Sequence, residues 1–316
     1  GRSQGQQSAS CIIVKARKDE YVKTGHLERF CGDVAQGRVP LLTLKDEFQW
    51  SGCTMCGLCC FGTDTVLSPY DILRIRRHLG CTTSDLIQRG LVEVFAGGSS
   101  GLPLAMIALR KLDNGGKVCP FLQPIVDGQK SRERTKGKGE PSPEDVKAAR
   151  TPKRLACGVY PARPAVCRSS PLGRLTVLSK RAEDTKHVFY HPPTASCRAI
   201  QGEGRVRVAD WIKDNGVQPY WDASERFNRL FSVMLRNGLV LREGIDRPVA
   251  TLWTLAATIL YDFDAVEVLA REFPQNRMRE DAEEDRRLLS RLCQLVEMIV
   301  KSLPPAKDVT PCQVRT

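Results

Sequence analysis

Cys53-Thr54-Met55-Cys56-Gly57-Leu58-Cys59-Cys60 decides how the chain is read. Thiolates two residues apart can be turned toward one centre, with metal–sulfur bonds of about 2.3 Å. A lone C-x2-C is weak, but here the motif is extended by four cysteines downstream: Cys119-Pro120-Phe121-Leu122, Cys157-Gly158-Val159-Tyr160, Arg163-Pro164-x2-Cys167-Arg168 and Cys197. Proline fixes the local backbone beside two of them. Adjacent Cys59 and Cys60, read as an extended segment, point opposite ways, so a single apolar core would bury only one of the pair.

Three cysteines in a row at x2 spacing, Cys53, Cys56 and Cys59, resemble the ligation of a cubane iron–sulfur cluster completed by a remote cysteine, for which Cys119 before Pro120 is a candidate. Zinc sites more often use two separated pairs. The favoured cofactor is therefore a 4Fe–4S cluster, with Zn2+ as the alternative. Eight thiolates suit two four-cysteine centres, or one centre with structural thiols beside it. Arg163, Arg168 and Arg198 stand next to candidate ligands, where their charge would offset that of a thiolate site.

The 316 residues carry 13 cysteines, 48 Lys and Arg, and 36 Asp and Glu, a net charge of +12. So many cysteines in a chain of this length, with no secretory leader in view, point to a reducing compartment and metal binding, not a disulfide framework. Cys11, Cys31, Cys81, Cys293 and Cys312 lie outside the pattern and read as reduced thiols. The charge is uneven: residues 1–207 hold 33 basic against 19 acidic residues, and residues 208–316 hold 15 against 17. A basic half of this kind favours a polyanion, RNA first. The longest apolar stretch, near Thr251–Leu260, is too short to cross a bilayer.

These patterns predict an α+β protein: a small cysteine-rich, metal-stapled domain of short strands and helices, followed by an α-helical C-terminal domain. The expected boundaries are an N-terminal arm at 1–50, the cysteine domain at 51–207 and the helical domain at 208–316. Ser68-Pro69 should start a helix that runs through Ile72, Leu73, Ile75 and Leu79 to Gly80. A short helix should follow Thr83-Ser84 to Gly90. Asp113-Asn114-Gly115-Gly116 marks a hairpin that delivers Cys119. Leu175–Leu178 and His187–Tyr190 read as strands. Asp222–Asn237, with Phe227, Leu230, Phe231 and Leu235 on one face, reads as a helix, as do Val249–Leu260, Asp264–Phe273 and Arg277–Leu303. The insertion 127–154 is strongly basic. Lys130, Arg132, Arg134, Lys136, Lys138, Lys153 and Arg154 are its candidate RNA-binding residues, meeting backbone phosphates without reading bases.

C-T-M-C-G-L-C-C, C-P-F-L, C-G-V-Y-P-A-R-P-A-V-C-R-S-S-P and C-R-A-I-Q-G-E-G together resemble the cysteine-cluster family described as zinc- or iron-chelating proteins, which includes the flagellin lysine N-methylases. The likeness covers about 53 to 210. It implies that Cys53, Cys56, Cys59, Cys60, Cys119, Cys157, Cys167 and Cys197 are the metal ligands. The basic insertion departs from the compact bacterial members, and Cys-Arg-Ala-Ile stands where a more glycine-rich turn is expected.

For catalysis the sequence offers little. It has no H-E-x-x-H and no P-loop. Gly97-Gly98-Ser99-Ser100-Gly101 reads as a flexible loop, and Glu283-Glu284-Asp285 as a solvated helix face. No catalytic residue and no small-molecule substrate is identified. The expected function is a non-catalytic, metal-stabilised structural or assembly component of an organellar ribonucleoprotein such as the mitochondrial ribosome, with rRNA and neighbouring proteins as partners and no membrane. The alternatives are an enzyme like the lysine methylases, or a metal-handling or redox-sensing protein. The expected compartment is the mitochondrial matrix, where a chain starting at Gly1 after loss of a basic leader would fit; plastid and bacterial cytoplasm also permit thiols and clusters.

Overall fold

The structure is a computed structural model that describes residues 15–16, 33, 36–53, 56–62, 64–97, 100–124, 155–177, 186–190, 197–241, 244–264 and 282–303. In chain order the elements are β1 (Lys15–Ala16), β2 (Leu41–Leu42), β3 (Glu47–Gln49), β4 (Val66–Leu67), α1 (Pro69–Leu79), α2 (Thr83–Gln88), β5 (Val92–Gly97), β6 (Leu102–Ile107), β7 (Arg110–Lys111), β8 (Lys117–Val118), β9 (Leu122–Pro124), β10 (Leu155–Cys157), α3 (Ala165–Ser169), β11 (Gly173–Val177), β12 (Lys186–Tyr190), β13 (Arg205–Arg207), α4 (Val208–Asp214), α5 (Gln218–Arg236), α6 (Arg247–Tyr261) and α7 (Ala282–Lys301). Short 3-10 turns lie at Leu58–Cys60, Tyr160–Ala162 and Arg198–Ile200. The protein is mixed α+β. Among the described residues no helix is long and apolar enough to cross a membrane.

The chain divides into two compact units, each discontinuous in sequence. The helical unit comprises Gly1–Tyr21, Gly80–Ala105 and Glu225–Thr316; the cysteine unit comprises Val22–Leu79 and Met106–Ser224.

In the helical unit, α7 buries Leu288, Leu289, Leu292, Val296 and Val300, a three-and-four spacing that makes one apolar stripe. It packs on α6, whose Trp253, Ala256, Ala257 and Leu260 are fully buried. The two large polar-tipped side chains there find partners: Trp253 Nε1 donates to Gly101 O at 2.8 Å, and Tyr261 Oη to Pro103 O at 3.1 Å. The second half of α5 buries Phe227, Leu230 and Met234, whereas Leu235 is exposed. The face thus runs through Met234, not through Phe231 and Leu235 as the sequence suggests. The short helix expected after Thr83-Ser84 is there as α2, but it starts at Thr83, with a capping box between Thr82 and Asp85. Of the arm, Lys15–Ala16 pairs in parallel with β5.

Of the loop expected at Gly97–Gly101, Gly98 and Ser99 lie outside the described residues, and Gly101 is tied down. Gly101 donates to Gly97 O at 2.7 Å, and its carbonyl accepts both Trp253 Nε1 and Leu241 N. A Cβ at Gly101 would lie 2.5 Å from Leu241 O. Asp285 is a further correction: it is 2 % exposed, so it does not belong to a solvated face. The helix expected at Asp264–Phe273 lies, beyond its first residue, outside the described residues.

The cysteine unit is built from short antiparallel pieces: β2–β12–β11, β3–β13, β7–β8 and β9–β10. The expected hairpin is there, with Gly115 at φ 78° in its turn. The expected pair of strands is also there, as β11 and β12. The main core gathers Phe48, Leu172, Phe189, Val208, Trp211, Ile212, Val217 and Trp221. A smaller one gathers Val118, Leu122 and Leu155, with Cys60, Phe61 and Leu112 against it. α1 runs over the expected residues. Its start is closed by Asp71, which accepts from Ser68 N and Ser68 Oγ, both at 2.7 Å.

Candidate metal centre

The eight motif cysteines all fall in the cysteine unit. Chain geometry brings them together in two steps. The β3–β13 ladder pairs Phe48 with Val206 and Gln49 with Arg205. It continues through Trp50 N to Gly204 O at 2.7 Å, then Ser51 N and Ser51 Oγ to Ala199 O at 2.7 and 2.9 Å. Cys53 lies two residues beyond Ser51, and Cys197 two residues before Ala199, so the ladder sets these two segments side by side.

The second step runs through the β7–β8 hairpin. Phe61 bridges Val118, Gly62 N donates to Lys117 O at 2.9 Å, and Cys119 N donates to Cys60 O at 2.8 Å. Downstream of Cys119, β9 pairs with β10 in a register that sets Cys157 opposite Leu122. Gly158 N closes onto Phe121 O at 2.7 Å. His78 Nε2 lies 3.3 Å from Gly158 O, tying α1 to the same turn. Cys167 is carried by α3, whose first amide, Ala165 N, donates to Asp71 Oδ1 at 2.8 Å. One fully buried carboxylate thus starts two helices. Burial pushes its pKa up, while the hydrogen bonds and the charge of Arg168 pull it down.

Cys59 and Cys60 sit in a 3-10 turn, not an extended segment, which corrects the sequence-based picture of their backbone. Successive side chains in such a turn diverge by about 120°. Gly57 precedes the turn at φ 71°, and a Cβ there would meet Leu155 Cδ1 at 2.8 Å, so only glycine fits. Cys53, Cys59 and Cys167 are exposed; Cys56, Cys60, Cys119, Cys157 and Cys197 are partly buried.

The side chains of Cys59, Cys60 and Cys119 form one hydrogen-bonded group, with Cys60 in the middle. Hydrogen bonding, to Cys119 first and then to Cys59, holds the Cys60 thiol up; it lowers Cys59 to about 6 and Cys119 below the ordinary thiol value. Arg163 adds a favourable charge at Cys59. Burial raises Cys157 to about 11, with the charge of Cys119 adding to it. Burial of its sulfur also raises Cys167, although the residue as a whole keeps an exposed surface; Cys119, Cys157, Cys59 and Asp71 add their charges. Cys197 is raised by burial and by Cys53, Cys56 and Cys59. The eight sulfurs are therefore electrostatic neighbours.

Among the described residues, no three or more His, Cys, Asp and Glu side chains stand as a group arranged to hold a metal ion. Cysteine donors suit a thiophilic metal by their chemistry.

Two arginines frame this cluster in a way the sequence did not disclose. Arg163 lies over the Tyr160 ring at 4.2 Å and donates to Asn215 Oδ1 at 3.0 Å. Arg168 lies over the Tyr220 ring at 4.6 Å and donates to Asn215 O and Pro161 O at 2.9 and 2.7 Å. Their hydrogen-bond acceptors here are neutral; the charge of Arg163 acts on Cys59 and Cys157, and that of Arg168 on the Asp71 carboxylate. Asn215 lies 52 residues from Arg163 in sequence and Tyr220 52 residues from Arg168, so no local motif announces the clamp. The candidate RNA-binding residues Lys130, Arg132, Arg134, Lys136, Lys138, Lys153 and Arg154 lie outside the described residues.

No family model, curated protein or solved structure matches the chain.

Proposed function

We propose that this chain is a metal-thiolate protein of the cysteine-cluster type, whose centre staples a basic unit that docks on RNA as a non-catalytic component of a ribonucleoprotein. One observation carries the reading: the unit that gathers all eight motif cysteines also holds nearly all the excess charge. It has 29 Lys and Arg against 18 Asp and Glu, whereas the helical unit has 19 against 18. Thiolates that bind zinc or iron–sulfur clusters supply folding energy outright where strands are short. A basic surface meets phosphates by charge and releases their counterions, so its affinity depends on salt.

In this reading Cys53, Cys56, Cys59, Cys60, Cys119, Cys157, Cys167 and Cys197 hold the metal, and Arg163 and Arg168 moderate the negative charge of the thiolates. The insertion 127–154 supplies further phosphate contacts. The metal's role is structural, and the compartment is a thiol-reducing one such as the mitochondrial matrix.

The test is gradient sedimentation of the native protein from its source, with and without ribonuclease. Migration with a large particle that collapses under ribonuclease supports the reading. Migration as a free chain of 35.2 kDa, together with no salt-sensitive RNA affinity of the purified protein, would overturn it.

A further inference from the structure

We propose that the eight cysteines form two metal centres, one held by Cys53, Cys56, Cys59 and Cys197 and the other by Cys60, Cys119, Cys157 and Cys167, with the adjacent Cys59 and Cys60 serving one each. This rests on the metal-thiolate reading above and assigns its ligands. A tetrahedral zinc ion or a cubane cluster takes four cysteines. One centre would leave four of the eight without a role.

The backbone supplies the division. The β3–β13 ladder and its extension, Trp50 to Gly204 and Ser51 to Ala199, bring the segment of Cys53 against that of Cys197. Cys56 follows Cys53 at x2 spacing. A separate set of bonds builds the other group. Cys119 N binds Cys60 O, the β9–β10 pair sets Cys157 opposite Leu122, and the Asp71 carboxylate fixes the start of the helix that carries Cys167.

The seam lies inside the Leu58–Cys60 turn. Cys60 packs on the Val118–Leu122–Leu155 core, which belongs to the second group. Cys59 is exposed and contacts Cys60 across the seam. The four-donor sets suit zinc or iron–sulfur chemistry alike, and the count of centres does not depend on which is bound.

The full-length chain, purified without oxygen, is analysed for zinc, iron and acid-labile sulfide per polypeptide. Two centres per chain are expected, either two zinc ions or twice the iron and sulfide of one cluster. Cys197→Ser and Cys167→Ser should each retain half of the metal, and the double variant should retain none. Should a variant fail to fold, the count on the unaltered protein still decides. A single centre per chain overturns the assignment. So does a single variant that loses all of the metal, or none of it. A single centre with salt-sensitive RNA affinity intact would sink this division alone. A chain without metal would sink it together with the metal half of the functional reading, leaving RNA binding to be judged by sedimentation.

Discussion

The helical unit buries Trp253, Tyr261, Phe227 and Phe263, each at most 1 % exposed, beneath helices of 15 to 20 residues. The cysteine unit is stitched from strands that, where they lie wholly inside it, are no longer than five residues, several of them in isolated pairs. Two-stranded ribbons are marginal in water on their own. Apolar burial, which grows with the area hidden, can carry the first region. The second has a respectable core around Trp211 and Trp221, but the segments with the motif cysteines lie largely in turns and at strand ends. The contrast is between a unit held by helix packing and a unit of short strands that the proposed metal centres would cross-link.

Metal removal should expose this contrast most strongly. Structural thiolate sites contribute on the order of 10 kcal/mol when loaded. A strong chelator under reducing conditions should therefore abolish amide-exchange protection in residues 56–62, 117–124, 155–169 and 197–207. Protection in α6 and α7 should persist. Uniform loss, or none, would break the comparison.

The converse substitution is Trp253→Ala, which empties a fully buried site in the helical unit and should cost about 4 kcal/mol in chemical denaturation. Trp253→Phe keeps most of the volume and loses the bond to Gly101 O, which still accepts Leu241 N. Its cost should be near 1 kcal/mol. Equal costs for the two would show that the hydrogen bond, not packing, dominates there.

Within the cysteine unit two glycines separate backbone strain from crowding. Gly57 and Gly62 have φ of 71° and 66°, but a Cβ at Gly57 strikes Leu155 whereas one at Gly62 meets nothing within 4 Å. Gly62→Ala should cost about 1 kcal/mol, the left-handed penalty alone. Gly57→Ala should cost about 3 kcal/mol and lower metal content, because overpacking adds to the strain. If both variants behave alike, the Leu58–Cys60 turn is not the rigid seam described above.

What could be read in the sequence follows the same line. Features with a local cause were legible: the Ser68-Pro69 helix start, the short helix near Thr83-Ser84 and the Asp113–Gly116 hairpin are set by residues within four positions of one another. The cysteine pattern was legible as a pattern. Its grouping was not, because the meeting of Cys53 with Cys197 depends on a ladder joining residues about 150 apart, and Asp71 reaches Ala165 across 94 positions. The helical turn at Cys59-Cys60 had a local signal, Gly57, that an extended reading passed over. Asp285 was hidden by its neighbours: a carboxylate in a run of acids looks solvated until tertiary packing buries it.

The smallest effect lies at the start of α2 and tests how little surface electrostatics contributes beside packing and cross-linking. Asp85 accepts from Thr82 N at 2.9 Å, while Asp85 N donates to Thr82 Oγ1 at 3.0 Å. These bonds lower the pKa of Asp85 below the usual carboxylate value, backbone bond first. A depressed folded-state pKa stabilises above the unfolded value, near 3.9, and that stabilisation is lost as pH falls through the folded value. Asp85→Asn removes the charge at a helix start and should cost about 0.5 kcal/mol at pH 7. The gap from the unaltered protein should close as pH falls from the unfolded value through the depressed folded one, where Asp85 itself becomes neutral. Denaturation across pH measures it, and a gap that stays constant with pH would show that side-chain geometry, not charge, makes the cap.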